Sequence, residues 1–184
     1  MKIFALYTNL NLIEKPVWLD EFRSKFDEPW DFHITLKQPC YIAEEDIPKM
    51  KSLLDSFLAS GHQWDASTPV ILDALRYDTD EDGTVIMLDM QNAGALQEFQ
   101  KKLCSVLGTY SQYVKPYYQG YEEDFRPHIT IGRDLLGDRY AEAMKYLENG
   151  CYCEGIIDQL GMTMVNNMSV GEATNPANQT FYKL

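Results

Sequence analysis

Basic residues, cysteines and histidines are all scarce in this 184-residue chain. Sixteen Lys and Arg residues stand against 28 Asp and Glu residues, which gives a formal net charge of −12. Binding to long duplex nucleic acid depends on many cationic side chains that neutralise phosphates, so this composition argues against an extended duplex as a partner. A nucleotide or a short oligonucleotide end remains admissible, because a cleft can be locally positive on an acidic protein.

Long apolar runs are also missing. No stretch approaches the length needed to span a bilayer, so we expect no membrane partner. The apolar run at the N-terminus is broken by Thr8 and Asn9 and is followed by no small-residue cleavage site, which favours a first β-strand and a cytoplasmic protein.

The cysteines provide neither a disulfide framework nor a complete metal site. The four residues are too few and too scattered for a framework in a chain of this size. Cys151 and Cys153 form a C-x-C pair, but no second Cys/His pair is present to complete a structural zinc site. We therefore expect ordinary reduced thiols.

The apolar pattern alternates between helical and strand periodicity along the chain. Apolar residues at helical spacings predict helices over 16–26, 44–60, 95–107 and 138–147. The first begins at Pro16 and is closed by Glu28 and Pro29, and each of the others has a Gly shortly after its end. Runs rich in Val, Ile, Tyr and Phe predict strands over 2–8, 69–77, 84–90, 155–166 and 179–182. This order predicts an α+β protein of two similar lobes within one domain over residues 1–184.

Two further strands carry nearly the same short motif, 95 positions apart. One is Asp31 to Lys37, read as DFHITLK, and the other is Phe125 to Arg133, read as FRPHITIGR. Because side chains alternate faces along a strand, the His and Thr of each motif share one face, while the Ile residues point to the other. Two such strands facing each other would form a cleft that holds two imidazoles and two hydroxyls.

Paired histidines suit the cleavage of a phosphodiester. Near neutral pH one imidazole can deprotonate the attacking water or hydroxyl, and an imidazolium on the other side can protonate the departing alkoxide. The two Thr hydroxyls can donate hydrogen bonds to the phosphoryl oxygens. This scheme requires neither a metal nor another cofactor.

The two motifs resemble those of the 2H phosphoesterase superfamily, which includes bacterial proteins named 2′-5′ RNA ligase and 2′,3′-cyclic phosphodiesterases. The resemblance covers the chain as an arrangement, and its specificity lies in the two short motifs. It implies a two-lobed, pseudo-symmetric fold of antiparallel sheets with outer helices and a central cleft. It also implies metal-independent cyclic phosphodiesterase chemistry with His33, Thr35, His128 and Thr130 as the catalytic residues.

Periodicity adds candidate substrate-binding residues around this set. Lys37 is expected on the His33 face and Arg126 on the His128 face, where either could meet a phosphate by charge. Arg133 is expected on the opposite face unless the strand bends after Gly132. Tyr121, in a tyrosine-rich connection, could stack on a base or a ribose, although packing is the commoner role of such residues.

The sequence thus predicts an enzyme that opens a 2′,3′-cyclic phosphate, or a related 2′-linked diester, of an RNA end or a nucleotide. A non-catalytic module that binds nucleotides or RNA ends is one alternative, and 2′-5′ RNA end-joining in the same site is another. The sequence leaves open the physiological substrate, the oligomeric state and which histidine is the acid. His62, the third histidine, follows Gly61 at a predicted helix end, and we expect a structural or surface role for it.

Overall fold

A computed structural model describes residues 1–27, 30–61, 64–80, 83–147 and 150–184. Within these ranges it has six α-helices: α1 Leu19–Phe26, α2 Ile47–Ala59, α3 Gly94–Val106, α4 Tyr118–Glu123, α5 Gly137–Leu147 and α6 Val170–Ala173. The seven strands are β1 Lys2–Glu14, β2 His33–Ile42, β3 Val70–Asp80, β4 Gly83–Met90, β5 His128–Leu135, β6 Cys153–Val165 and β7 Gln179–Lys183. Short 3₁₀ helices span Glu44–Asp46 and Pro176–Asn178.

The α+β class is confirmed, and every predicted helix and strand has a counterpart in the structure. The predicted helix over 44–60 begins as a 3₁₀ turn and continues as α2, which has a proline in its first turn. Strands β3 and β4 follow each other in the chain and pair antiparallel. Glu28 and Pro29, residues 81–82 and His62 all lie outside the described residues.

The strands of the described chain form one antiparallel seven-stranded sheet. Its order is β2-β1-β6-β3-β4-β5, and β7 adds to β6. The two motif strands, β2 and β5, are therefore at opposite ends of the order, yet they contact each other. The sheet bends so that its two ends meet, and this is how the two motifs come together.

A short pairing joins the two halves of this sheet. One half contains β1, β2, β6 and β7, and the other contains β3, β4 and β5. Residues 70–72 of β3 pair with residues 153–155 at the start of β6. The two expected lobes are thus continuous through this pairing, and the expectation that residues 1–184 form a single domain stays a prediction.

The helices cover the outer face of the sheet with their apolar stripes. The stripe of α2 buries Met50, Leu54 and Phe57, at the spacing of successive helical turns. Phe22 and Phe26 of α1 are completely or almost completely buried, and α1 contacts β5. Within the described residues four helices contact the motif strands, because α5 also contacts β5, and α3 and α4 contact β2.

No helix in the described part of the chain is long and apolar enough to cross a membrane. The four cysteines are free thiols, and three of them are buried.

Candidate active site

The two motif histidines are held in the same way. Nδ1 of His33 lies 2.9 Å from the carbonyl oxygen of Asp31, and Nδ1 of His128 lies 2.7 Å from that of Arg126. In both cases the partner is two residues earlier in the chain. Because a carbonyl oxygen can only accept, Nδ1 donates the hydrogen, and the lone pair of the neutral ring is then on Nε2. Each histidine thus presents Nε2 as the nitrogen that can accept or give a proton.

The environment holds both imidazoles towards their neutral form. Burial lowers the pKa of His33, and burial likewise lowers the pKa of His128. The backbone hydrogen bond opposes this effect in each case. The positive charge of Arg133 further lowers both pKa values, so its guanidinium is close enough to influence the two histidines together.

The predicted alternation of faces is confirmed for both motifs. Ile34 and Ile129 are almost completely buried in the core. The neighbouring histidines and threonines are half-buried on the opposite face. Neither Thr35 nor Thr130 has a side-chain hydrogen-bond partner among the described residues, so both hydroxyls are available to a phosphoryl oxygen.

In β2 the alternation ends with a β-bulge directly after the motif. Thr35 pairs with Tyr7 of β1 and Lys37 pairs with Leu6, so Leu36 is an extra residue. An extra residue moves the following side chains to the other face of the sheet.

The expectation that Lys37 shares the face of His33 is therefore wrong. The Lys37 side chain is only 1% exposed, and its Nζ donates to Oε1 of Glu122 on α4 at 2.8 Å. The backbone N–H of Gln38 donates to the other oxygen of the same carboxylate at 3.2 Å. Lys37 is a buried anchor for α4, and Gln38 takes the position on the cleft face that the sequence assigned to Lys37.

The second motif strand repeats this bulge at the equivalent position. Thr130 pairs with Met87 of β4 and Gly132 pairs with Ile86, so Ile131 is the extra residue. The strand therefore bends, which is the condition under which the sequence allowed Arg133 to share the face of His128. Arg133 accordingly turns to the cleft face of β5. The offset of 95 positions between the motifs extends to this bulge, which makes Arg133 the counterpart of Gln38.

A shared carboxylate holds Arg133 in place. Arg133 Nε donates to Oδ1 of Asp27 at 3.1 Å, and Arg23 Nε donates to Oδ2 at 3.0 Å. The Asp27 side chain is only 2% exposed. Two guanidinium groups thus share one carboxylate, which leaves this network with a net positive charge at the site. A phosphodiester carries the matching single negative charge.

Two other candidates lie towards the solvent. The Arg126 side chain is 61% exposed and forms an ion pair with Asp124 at 2.8 Å, so the contribution of Arg126 to the site's geometry is its backbone carbonyl. Tyr121 is exposed on α4, and its hydroxyl donates to Asp78 at 2.9 Å. Its stacking on a substrate stays a prediction. The neighbouring Tyr118 is half-buried and lies within reach of the Arg133 charge.

Several residues next to the histidines were missed by the sequence analysis. Arg76 Nη2 lies 3.0 Å from His128 Nδ1, and Arg76 Nε donates to both carboxylate oxygens of Asp89 at 2.9 Å. The rings of Tyr7 and Trp30 approach His33 with centroid distances of 5.6 Å and 5.8 Å. Asp89 could have been found, because a lone carboxylate in an apolar strand requires a partner. No comparable sequence signal identifies Trp30.

No group of three or more His, Cys, Asp or Glu side chains is placed to hold a metal ion within the described ranges.

Known proteins are similar to this chain in sequence or in structure. A protein of Geobacillus kaustophilus named "Putative phosphoesterase" is 29% identical over 133 residues, which are 70% of this chain and 68% of that protein. The structure of Usb1 from Kluyveromyces marxianus matches the fold with a TM-score of 0.53 at 11% identity, over 99% of this chain and 98% of the other. LigT of E. coli, complexed with phosphate, gives a TM-score of 0.45 at 16% identity over 100% and 94% of the two chains.

A family model described as the 2′-5′ RNA ligase superfamily matches residues 12–163, a range that includes both motifs. Since this match covers well over half of the chain, the protein belongs to the 2′-5′ RNA ligase superfamily, the 2H phosphoesterases that its paired motifs predicted.

Proposed function

We propose that this protein is a metal-independent phosphodiesterase that hydrolyses a 2′,3′-cyclic phosphate, or a related 2′-linked diester, of an RNA end or a nucleotide. The observation that carries the proposal is that the two motifs, which are alike in sequence, also have the same local structure. His33 and His128 have equivalent backbone hydrogen bonds, and the same bulge follows each motif. The 2H phosphoesterase family and the phosphoesterase relative support the same reaction class.

The chemistry needs three functions that these side chains can supply. One imidazole Nε2 takes a proton from water as the water oxygen bonds to phosphorus. The P–O bond to the leaving sugar oxygen breaks, and the other histidine, as an imidazolium, gives its Nε2 proton to that oxygen. Thr35, Thr130 and Arg133 donate hydrogen bonds to the non-bridging oxygens, where negative charge is held during the reaction.

The direct test is hydrolysis of a panel of substrates in the presence of EDTA. The panel comprises the four 2′,3′-cyclic nucleotides, 2′-5′-linked dinucleotides and ADP-ribose cyclic phosphate, and the product isomer is assigned for each. We expect turnover of at least one substrate with a bell-shaped pH dependence. His33→Ala and His128→Ala should each lower kcat by about 10²- to 10⁴-fold, the usual contribution of acid–base catalysis.

His62→Ala is the matched control, because it removes the histidine that lies outside both motifs. It should retain wild-type activity. Circular dichroism spectra establish that each variant is folded. Full activity in both motif variants would overturn the proposal. Calorimetric binding of a nucleoside 2′-phosphate without hydrolysis of any substrate would instead support a binding module.

End-joining is a second candidate, because the family carries the name of a 2′-5′ RNA ligase. Joining is the reverse reaction in the same site, with a sugar hydroxyl in place of water. It is tested by incubating an RNA that ends in a 2′,3′-cyclic phosphate with one that begins with a 5′-hydroxyl. A 2′-5′-linked product in excess of hydrolysed ends would favour joining.

A further inference from the structure

The two histidines have the same backbone hydrogen bond but different side-chain neighbours. Arg76 Nη2 lies 3.0 Å from Nδ1 of His128. The guanidinium is held by Asp89, to which its Nε donates two hydrogen bonds of 2.9 Å. Both members of this pair are about one-quarter exposed. The contact is therefore partly shielded from solvent and acts on one histidine ring.

The nitrogen that Arg76 approaches already has a partner. Nδ1 of His128 is 2.7 Å from the carbonyl oxygen of Arg126. An imidazole nitrogen has one in-plane position, occupied either by a hydrogen or by a lone pair. When the hydrogen is directed to the carbonyl oxygen, the guanidinium of Arg76 faces an N–H group. This arrangement opposes a second proton on the ring, because a nearby positive charge disfavours the imidazolium.

The charged groups around His128 come from three strands. Arg76 on β3 and Arg133 on β5 lower the pKa of His128 in addition to its burial, whereas Asp89 on β4 raises it. The Arg76–Asp89 pair has no net charge, but its positive member is the one in contact with the ring.

His33 lies among aromatic rings instead. Tyr7 and Trp30 approach it with centroid distances of 5.6 Å and 5.8 Å, and aromatic faces favour a nearby cation. The charged groups that act on it are Arg133 from β5 and the pair formed by Arg23 of α1 and Asp27 directly after α1, in which the carboxylate offsets part of the positive charge. No cation lies within hydrogen-bonding distance of the His33 ring in the described part of the chain.

The register of the sheet shows that the charged neighbours of His128 and the aromatic neighbours of His33 lie at equivalent positions of the two halves. Arg76 is opposite Met87, which is opposite Thr130. In the first half the corresponding series is Gly161, Tyr7 and Thr35.

Gly161 and Asn9 are the first-half counterparts of the charged pair. A Cβ at Gly161 would be 2.5 Å from the Tyr7 ring, so the space that Arg76 occupies in one half holds the Tyr7 ring in the other. Asp89 is opposite His128, and its counterpart opposite His33 is the neutral Asn9. The first half therefore contains neither member of the charged pair.

We propose that Arg76 and Asp89 are positioning residues that make His128 the general base and leave His33 as the general acid. This assignment rests on the proposed function and deepens it. Arg76 keeps the resting His128 neutral, and Asp89 stabilises the imidazolium that forms when Nε2 accepts the proton of the attacking water. The P–O bond to the leaving oxygen then breaks, and His33 Nε2 supplies the proton for that oxygen.

The first test follows the histidine rings by ¹⁵N NMR over pH and needs no catalytic activity. Arg76→Gln should raise the pKa of His128, because it removes a positive charge. Asp89→Asn should lower the pKa of His128, because the substitution leaves the positive charge of Arg76 uncompensated. His33 is the internal control, and its titration should not move in either variant. An unmoved His128 titration in folded variants would overturn the inference by itself.

The second test is the pH dependence of kcat/KM for a 2′,3′-cyclic nucleotide. If His128 is the base, its protonation produces the acidic limb. Arg76→Gln should then move that limb to higher pH by about one pH unit, and Asp89→Asn should move it to lower pH. Arg76→Lys keeps the positive charge and should keep the limb near its wild-type position, which separates a charge effect from a loss of packing.

Three further outcomes of these two tests distinguish failure of the base assignment from failure of the proposed function. Movement of the alkaline limb in place of the acidic limb would overturn the base assignment. If the His128 titration moves as expected but no substrate is hydrolysed, both the base assignment and the proposed function fail. If hydrolysis is normal and neither limb moves, the inference fails and the proposed function stands.

Discussion

Arg133 has a guanidinium group that its buried partner neutralises only in part. Asp27 is shared with Arg23, so a net positive charge remains near both histidines. Arg133→Met should lower kcat/KM by about 10²-fold, the usual cost of removing one preorganised donor to a developing anion. It should also raise the pKa of both His33 and His128, a response that a purely structural role would not produce.

A variant with the same change in net charge controls for this prediction. Lys102 is an exposed cation on α3, and Lys102→Gln should leave kcat/KM and both histidine titrations unchanged. The measurements are steady-state kinetics and the same ¹⁵N titration. Equal losses in the two variants would contradict a local role for Arg133.

At the scale of residues, the sequence predicted the side chains whose position follows from simple alternation. His33, Thr35, His128 and Thr130 all lie on the expected face, because each motif precedes its bulge. Lys37 and Arg133 follow the bulges, and strict alternation therefore assigned both to the opposite face. A bulge depends on contacts with other elements, so the two motif sequences do not reveal it by themselves.

At the scale of elements, α3 and α4 support the bulge of β2. The carbonyl of the extra residue Leu36 accepts a hydrogen bond of 3.3 Å from the buried Gln100 amide on α3. The Glu122 carboxylate of α4 accepts from Lys37 Nζ at 2.8 Å, from the Tyr113 hydroxyl at 2.9 Å and from the Gln38 N–H at 3.2 Å. These contacts satisfy polar groups that the bulge would otherwise leave unpaired.

Glu122→Gln should therefore destabilise the fold strongly. The side chains of Lys37 and Glu122 are 1% and 9% exposed, so the variant leaves an uncompensated buried ammonium group. We expect a loss of about 3–5 kcal/mol in the free energy of unfolding, measured by urea denaturation. Lys37→Met combined with Glu122→Leu should be less destabilising than Glu122→Gln, because it removes both charges.

The exposed neighbour on the same helix is the control for this prediction. Glu123→Gln should change the free energy of unfolding by no more than about 0.5 kcal/mol, as is usual at exposed positions. If Glu122→Gln were as mild as Glu123→Gln, the ion pair would not anchor α4 to β2.

The longer helices were predictable from the sequence, whereas the short helices α4 and α6 were not. Both α2 and α3 are 13 residues long, with apolar stripes that repeat over several turns. Helix α4 has six residues and no buried apolar residue, so periodicity gives no signal for it. It nevertheless supplies Glu122 to the bulge, and the contacts with β2 decide its position.

At the scale of the whole molecule, the acidic surface restricts how much of a nucleic acid the site can engage. The formal net charge is −12, whereas the site combines a neutral Arg76–Asp89 pair with an Arg23–Asp27–Arg133 network of net positive charge. Phosphates beyond the reacting one would approach a protein with a net charge of −12, and this excess negative charge would repel them. The charge distribution therefore favours recognition of a single phosphodiester.

This charge distribution predicts a weak dependence of kcat/KM on salt concentration. Each phosphate contact to a single strand contributes a slope of about −0.7 in log affinity against log salt concentration. A 2′,3′-cyclic mononucleotide and an RNA of about 12 nucleotides with the same end should both give a slope near that of one contact. The RNA should not have the higher kcat/KM, and duplex DNA should not compete. A slope several times steeper for the RNA would contradict recognition of the terminal phosphodiester alone, because it would reveal a row of cationic contacts along the strand.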